Sequence, residues 1–240
     1  MPGKPILTAA VSLIILFSGT LSAQNKSQPA LQKTKKIEAV KPTDFKHSDV
    51  GNPALAGTVT TTGDGFDITA GGSDVWGVKD EFNFVYIEKR GDFDFAGRVE
   101  GLTSANLYTK AGIMARESLS PGSRHIYFQI FPDNTPRNKN NGGFEFQYRQ
   151  VTDGQMKAIY PTRSEGTPEF PVSFPNTWIR LKRTGNNFTG YTGTDGKNWK
   201  EYTTFTLDLP AKIYLGAAVT SHNTAAITTA KFRNAGYVIK

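Results

Sequence analysis

Residues 82–100, FNFVYIEKRGDFDFAGRVE, contain two stretches in which large apolar side chains recur at every second position. Phe82 and Phe84 mark the first stretch, and Phe95 and Val99 mark the second. A period of two is typical of β-strands, because successive side chains of a strand point to opposite faces. The Gly-Asp pair between the stretches favours a tight turn. This segment therefore predicts two strands joined by a turn.

The same alternation recurs towards the C-terminus. It is found at residues 126–131, 144–149, 179–182 and 213–220. Turn-forming pairs such as Gly142-Gly143 and Asp195-Gly196 separate the alternating segments. Ten or more short strands joined by hairpins, with no segment suited to a long crossover helix, favour an all-β fold. We predict a two-sheet antiparallel jelly-roll sandwich that occupies residues 44–240 as one domain.

The N-terminus has the features of a secretory signal peptide. Lys4 precedes an apolar run at residues 6–17, and small residues lead to a cleavage point after Ala23. The run of 12 residues is shorter than the roughly 20 that a membrane-spanning helix needs. We therefore predict residues 1–23 to be a cleaved signal, with secretion or periplasmic export and no membrane insertion after cleavage. An uncleaved anchor is the alternative.

Residues 24–43 connect this signal to the predicted sandwich. Apolar residues are sparse there, and they follow neither a strand period nor a helix period. The segment is therefore predicted to be a flexible basic linker. Its lysines either contact an acidic surface or form a solvated spacer.

The charge distribution argues against a nucleic-acid partner. The chain has 28 Lys and Arg against 21 Asp and Glu, a net charge of +7. Six lysines against Glu38 give residues 1–43 a charge of +5, which leaves +2 for residues 44–240. A nucleic-acid binder carries its basic excess on the folded domain, and this domain is nearly neutral.

The chain contains no cysteine. This excludes disulfide frameworks, Cys-ligated metal sites and thiol nucleophiles. An exported protein without disulfides is more typical of bacteria than of small animal modules.

Several strands carry polar side chains on the face opposite their aliphatic residues. Tyr127 and Gln129 share one such face, and Glu145, Gln147 and Arg149 share another. Groups of this kind donate and accept hydrogen bonds with fixed geometry, as a ligand surface requires. An oligosaccharide or polysaccharide is the ligand that we predict. An ordinary solvated sheet face is the alternative.

Three motifs together resemble a known family. The first comprises DVG at residues 49–51, DVWG at 74–77 and DEF at 80–82. The second runs from GDF at 91–93 to KAGIMARES at 110–118 and PGS at 121–123. The third is WIRLKRTGN at 178–186, closed by LGAAVTSH at 215–222 and Phe232. The chain is similar over nearly all of residues 48–239 to the bacterial domain of unknown function related to the regulation-of-enolase protein. That family lies within the concanavalin A-like lectin and glucanase sandwiches. The resemblance implies a jelly-roll fold in exported bacterial proteins that are often attached to, or encoded beside, polysaccharide-degrading enzymes. It implies no catalytic residues, and the analogy to lectins is one of fold.

Two further residues are candidates for the site, each with an alternative role. Trp76 lies in a turn-rich segment, where it either fills the core or offers a stacking platform for a sugar ring. Arg116 either clamps a ligand or forms an ion pair with Glu117, Asp80 or Glu81.

Catalysis is not favoured by the carboxylate pattern. Glycoside hydrolysis needs two carboxylates on one groove face, and retaining sandwich glucanases supply them from one strand with Glu-x-Asp-x-Glu spacing. That spacing is absent, and Glu145 is the sole acid of its strand segment. His222 is interpreted as a hydrogen-bonded residue near a strand end. It cannot form a triad with Ser221, because adjacent strand residues point to opposite faces.

No cofactor is predicted. The loop at residues 132–141 offers calcium a single carboxylate, Asp133, beside two basic residues, so we predict a polar surface loop instead. Asp64, Asp67 and Asp74 are a looser alternative for calcium.

These observations predict an exported, non-catalytic module that binds carbohydrate on one sheet face. A cell-surface structural or protein-interaction module is the first alternative, and a glycoside hydrolase is the second. No oligomeric state is predicted. The candidate ligand-binding residues are Trp76, Arg116, Tyr127, Gln129, Glu145, Gln147 and Arg149.

Overall fold

The computed structural model describes residues 1–3, 36–137, 139–160 and 168–239. The signal peptide predicted for residues 1–23 lies outside the described residues except for its first three. Residues 24–35 of the predicted linker lie outside them as well.

The domain is built almost entirely from strands. Helix is limited, in the described part of the chain, to a single 3-10 turn at Pro42–Asp44. In chain order the strands are β1 (Lys36–Ala39), β2 (Lys46–Val50), β3 (Thr58–Thr62), β4 (Gly65–Ala70), β5 (Val75–Trp76), β6 (Lys79–Asp80), β7 (Phe82–Arg90), β8 (Phe93–Leu102), β9 (Lys110–Arg116), β10 (His125–Ile130), β11 (Phe144–Arg149), β12 (Lys157–Ile159), β13 (Thr177–Thr184), β14 (Asn187–Gly193), β15 (Lys200–Thr206), β16 (Lys212–Thr220) and β17 (Thr228–Ile239).

Two antiparallel sheets form the sandwich. One sheet has eight strands, in the order β15-β14-β13-β8-β17-β4-β3, with β1 paired to the end of β17. The other has seven strands, in the order β12-β11-β10-β9-β16-β7-β2. A two-stranded hairpin, β5–β6, is separate from both. The prediction of a two-sheet antiparallel sandwich is confirmed.

The segment at residues 82–100 forms the passage from one sheet to the other. β7 belongs to the seven-stranded sheet and β8 to the eight-stranded sheet, so these consecutive strands do not pair. Gly91 makes the turn between them with a φ of +67°, a conformation that glycine adopts without steric cost. Alternation predicted both strands correctly, whereas their placement in different sheets depends on pairing with distant segments.

The main core lies between the two sheets. It includes Val85 from β7, Phe95 and Val99 from β8, and Ile113 and Ala115 from β9, all of them buried. A second apolar cluster covers the outer face of the seven-stranded sheet. Its members are Val50, Val75, Phe82, Phe84, Tyr86, Met114, Tyr127, Met156 and Ala218. This sheet is therefore buried on both faces over much of its area.

The structure corrects one predicted boundary. The sequence assigns residues 36–43 to the flexible linker, but Lys36–Ala39 form strand β1 in register with Gly236–Ile239. Backbone hydrogen bonds to the edge of β17 supply the order here, and these bonds do not depend on apolar side chains. Sparse hydrophobicity therefore gave no sign of this strand.

Among the residues that the structure describes, no helix is long and apolar enough to cross a membrane.

Candidate functional site

The predicted polar residues of β9, β10 and β11 do share one face of the seven-stranded sheet. Tyr127 lies directly opposite Gln147, and Gln129 lies directly opposite Glu145. Directly opposed residues of antiparallel strands point to the same side of a sheet. His125 lies between Arg149 on one side and Arg116 on the other, so both arginines join this face. The face points away from the core between the sheets.

The β5–β6 hairpin lies over part of this face. The backbone N–H of Met156 donates to the carbonyl of Gly77 at 2.8 Å, and that of Asp80 donates to the carbonyl of Pro121 at 3.1 Å. Val75, at the start of the hairpin, is fully buried in the outer apolar cluster. The hairpin therefore divides the predicted polar face into a covered part and a part that borders a pocket.

Asp80 is the centre of the covered part. Arg149 contacts both of its carboxylate oxygens at 2.7 Å, Nη1 with Oδ2 and Nη2 with Oδ1. Arg116 donates from Nη1 to Oδ2 of Asp80 at 3.2 Å, and all three side chains are fully buried. Arg116 and Arg149 therefore occupy structural positions and not the predicted ligand-binding ones. Of the alternatives for Arg116, pairing with Asp80 is confirmed.

His125 completes this cluster as an uncharged member. Its Nδ1 lies 2.9 Å from the carbonyl of Ser123 and 3.7 Å from Oδ2 of Asp80. Burial lowers the pKa of His125 to about 3, so the imidazole is neutral at physiological pH. Burial also lowers the pKa of Arg116, to about 10, which leaves the guanidinium charged. One carboxylate thus compensates two buried guanidinium groups.

Tyr127 and Gln129 are buried beneath the site. The hydroxyl of Tyr127 donates to the carbonyl of Ala218 at 2.9 Å, and the side chain has no exposed surface, so it is not placed to contact a ligand. Gln129 is equally buried and donates from Nε2 to Oε1 of Glu145 at 3.4 Å. Gly112 lies opposite Gln129, where an added Cβ would come within 2.5 Å of the Gln129 Cα. Gln129 is therefore a buried residue that contacts the site through its hydrogen bond to Glu145.

A pocket of about 190 Å³ opens beside the hairpin. Three of the predicted residues line it, namely Trp76, Glu145 and Gln147. Five other lining residues were not among the predicted ligand-binding residues. These are Asp74, Tyr108, Lys110, Tyr160 and His222.

Trp76 is the exposed aromatic wall of this pocket. Its side chain is 39% exposed, which is unusual for a residue that normally buries most of its large surface. The sequence left open whether Trp76 fills the core or offers a platform, and its exposure excludes the core position. Nζ of Lys110 lies 6.0 Å from the centroid of the indole ring.

Lys110 and Asp74 form the charged centre of the pocket. Lys110 is almost fully buried, and its Nζ contacts Oδ1 of Asp74. The other Asp74 oxygen, Oδ2, lies 3.2 Å from Nε2 of His222. Burial acts to raise the pKa of Asp74, but Lys110 and His222 together outweigh it and hold this pKa below its usual value. The His222 ring packs against Tyr108 at a centroid separation of 5.4 Å.

Glu145 is a buried carboxylate surrounded by amide donors. Gln147 donates to its Oε1, and Asn140 donates from Nδ2 to its Oε2 at 3.4 Å. Burial raises the pKa of Glu145, although the nearby ammonium of Lys110 acts in the opposite direction. The pocket thus contains two carboxylates whose pKa values are displaced in opposite directions.

Two buried acceptors at this site are unused by the protein. In the part of the chain that the structure describes, Oε1 of Gln129 and Oε1 of Gln147 have no hydrogen-bond partner. Buried polar atoms are normally hydrogen-bonded, and leaving one without a partner costs about 1–3 kcal/mol. Gln147 lines the pocket, but its Oε1 has essentially no accessible surface, so a ligand would contact this oxygen only after the side chain rotates.

The residues weighed for calcium do not come together. Asp64 and Asp67 both face Arg233, at 3.5 and 2.6 Å, whereas Asp74 lies in the pocket. The described ranges contain no group of three or more His, Cys, Asp or Glu side chains that could hold a metal ion.

The loop at residues 132–141 is in part the predicted surface loop, since Asp133, Thr135 and Pro136 are exposed. Arg137 and Asn140 are buried, and Arg137 lies over the ring of Phe131, 4.4 Å from its centroid. The loop therefore packs against the domain and supports Glu145 through Asn140.

A larger groove of about 700 Å³ runs beside β1 and β2. Its charged side chains, such as Glu38, Lys46 and Glu88, are exposed to solvent. Such a surface is typical of an ordinary solvated face, so the smaller pocket is the better candidate site.

Glu145→Gln is expected to stabilise the domain at pH 7. Because the folded pKa lies above the unfolded value of 4.5, the native carboxyl binds a proton more readily than the unfolded one. Wild-type stability therefore falls as pH rises from 4.5 through the folded pKa, and the variant lacks this loss. A gain of about 1 kcal/mol would raise Tm by about 2–4 °C.

Thermal unfolding between pH 3 and pH 8 measures this effect. The difference from wild type should be present at pH 7 and should vanish in the most acidic buffers. The exposed Glu201→Gln is the matched control and should leave Tm unchanged. A variant that is less stable than wild type at pH 7 would contradict the expected cost of burying the charge.

The chain is similar in structure to known proteins, but its sequence matches no known family. No protein-family model and no curated protein sequence matches the chain. The chain is similar to a solved protein of unknown function from Saccharomyces cerevisiae, with a TM-score of 0.58 and 12% identity over 82% of this chain and 97% of the other. It is also similar to a GH43 protein, BlXynB, from Bacillus licheniformis, with a TM-score of 0.54 and 12% identity over 84% of this chain and 38% of that protein.

A carbohydrate-binding module, CBM66, from Bacillus subtilis also matches, with a TM-score of 0.49 and 13% identity over 80% of this chain and 93% of the module. A legume lectin-like domain from Entamoeba histolytica matches as well, with a TM-score of 0.45 and 10% identity over 86% of this chain and 96% of that domain. At these identities the likeness concerns the fold alone. The strand topology confirms the predicted all-β, two-sheet sandwich, and its assignment to the concanavalin A-like class stays a prediction. The relation to the regulation-of-enolase family stays a prediction.

Proposed function

We propose that this chain is a non-catalytic module that binds a carbohydrate in the pocket beside the β5–β6 hairpin. One observation carries the proposal: an exposed indole, Trp76, borders a pocket whose floor of Lys110, Glu145 and Gln147 is buried and polar. A sugar ring has an apolar face of C–H groups and a periphery of hydroxyls. An aromatic wall beside a few fixed polar groups is complementary to both features.

The polar groups of the pocket suit hydroxyl ligands in particular. A hydroxyl both donates and accepts, and this pocket offers both partners. Lys110 presents an ammonium donor beside Trp76. Glu145 adds carboxylate oxygens that accept hydrogen bonds, and Gln147 adds a buried amide to the floor.

Glycoside hydrolysis is the second candidate, and one observation favours it. Asp74 and Glu145 line one pocket, and their pKa values are displaced in opposite directions, as acid and base roles require. Asp74, however, is already engaged by Lys110 and His222. This engagement favours binding over catalysis. A structural or protein-interaction module is expected to present a flat face. The presence of a pocket therefore favours a small ligand over a protein partner.

Export is part of the proposal and rests on the sequence. The basic residue, apolar run and small residues within residues 1–23 support a secretory signal. The protein would then meet its carbohydrate in the periplasm or outside the cell.

Calorimetric titration of the full chain, guided by a glycan array, tests the proposal. Wild type is expected to bind a saccharide, and Gln147→Ala is expected to weaken that binding about tenfold through the loss of one buried hydrogen-bonding group. The exposed Gln155→Ala is the matched control and should bind as wild type does. Failure of every saccharide to bind would overturn the proposal. Release of reducing sugar that Glu145→Gln abolishes would favour the hydrolase.

A further inference from the structure

We infer that the pocket receives a single, terminal sugar unit without a negative charge, and not an internal segment of a polysaccharide chain. This inference rests on the proposed function and names the ligand of the same site. It follows from the size of the pocket, the arrangement of its walls and the charges that face it.

The size of the pocket limits the ligand to one ring. Its volume is about 190 Å³. An engineered protein cavity of roughly 150 Å³ holds one benzene molecule, so this pocket has room for one six-membered ring and its hydroxyls. A second ring would extend beyond the buried polar groups of the floor, Lys110, Glu145 and Gln147.

Among the residues that the structure describes, the walls come from four separate chain segments. Trp76 belongs to the β5–β6 hairpin, Tyr108 precedes β9, Tyr160 follows β12 and His222 follows β16. The wall is continuous from Asp74 through His222 to Tyr108, because His222 contacts both of its neighbours. A polymer that passes through a site needs it to be open at two ends. A continuous wall on this side favours entry of a chain end.

The charges facing the pocket disfavour a negatively charged ligand. They belong to Asp74, Glu145 and Lys110. The ammonium of Lys110 is already compensated by Asp74, so it is not free to pair with a ligand carboxylate. A uronic acid would bring a negative charge close to both Asp74 and Glu145, which is unfavourable in a partly buried site.

Titration calorimetry with ligands of increasing length tests this inference. The probes are methyl glycosides of neutral hexoses and pentoses, their di- and tetrasaccharides, and the matching uronic acids. For a sugar that binds, Kd should stay within about threefold from the methyl glycoside to the tetrasaccharide, and the uronic acid should bind at least tenfold more weakly. Affinity that rises tenfold or more with length would overturn the terminal-unit inference while the proposed function stands. Absence of binding at every length would overturn both.

Tyr108→Ala gives a second readout. If all contacts are made with the terminal unit, this variant should lower the affinity for the methyl glycoside and the affinity for the tetrasaccharide by the same factor. A loss of affinity for the tetrasaccharide alone would overturn the inference. His222→Ala, which removes a partly exposed side chain from the same wall, serves as the second variant if Tyr108→Ala does not fold.

Discussion

Asp80→Asn is expected to destabilise the domain by about 3–5 kcal/mol, the cost of removing one partner from a buried ion pair. The substitution keeps the shape of the side chain and removes its charge. Arg116 and Arg149 would then remain fully buried with no carboxylate to compensate them. His125 cannot compensate the two guanidinium groups, because its buried imidazole is neutral. A loss of this size is a large part of the 5–15 kcal/mol that stabilises a typical domain.

Chemical denaturation of the full chain at pH 7 measures this loss. The matched control is Asp208→Asn, which removes an aspartate whose side chain is 77% exposed and pairs with Arg124. An exposed pair contributes about 0–1 kcal/mol, so the control should unfold close to wild type. Equal, small effects for the two variants would contradict the structural role that we assign to Asp80.

Trp76→Ala is expected to weaken carbohydrate binding by about 30-fold or more. A tryptophan at the centre of a binding site commonly contributes about 2 kcal/mol or more, which corresponds to that factor. Because Trp76 is substantially exposed, its removal should change folding stability by about 0.5 kcal/mol or less. Binding and stability should therefore respond very differently to this one substitution.

Two further variants sharpen this experiment. Trp76→Phe keeps a smaller aromatic wall and should recover part of the lost affinity. Val151→Ala trims another exposed apolar side chain, one that does not line the pocket, and should bind as wild type does. Unchanged calorimetric affinity in Trp76→Ala would remove the observation on which the proposed function depends.

The sequence predicted the fold well because the deciding signals are local. Alternation along segments such as residues 126–131 reports a strand without any knowledge of its neighbours. The same alternation placed Tyr127, Gln129, Glu145 and Gln147 on shared faces, and the strand register agrees. Pairing of Arg116 with Asp80 was among the predicted alternatives.

The site was predicted in part, for a physical reason. Alternation tells which residues share a face, but not whether another segment covers that face. Arg149 and Tyr127 are covered by the hairpin, whereas Gln147 on the same strand as Arg149 borders the pocket. Polar side chains that are buried in ion pairs look the same in sequence as those that meet solvent.

The missed residues belong mostly to loops and strand ends. Tyr108, Tyr160 and His222 lie outside the strands, where no periodicity indicates which way a side chain points. Lys110 is the exception, since it precedes Met114 and Arg116 by even numbers of residues in one strand. Residues an even number of positions apart in a strand share a face, so the sequence already placed Lys110 on the outer face with Met114 and Arg116.

The segment from Asp74 to Asp80 is held at both ends. Asp74 is fixed by Lys110 and His222, and Asp80 is fixed by Arg116 and Arg149. Trp76 lies between these two anchors, so the aromatic wall is in place before any ligand arrives. Ligand entry then requires no rearrangement of the hairpin, and association proceeds without a slow conformational step. If the pocket binds sugars as proposed, selectivity among them is expected in how long each one stays bound, so dissociation rates and not association rates would distinguish good ligands from poor ones.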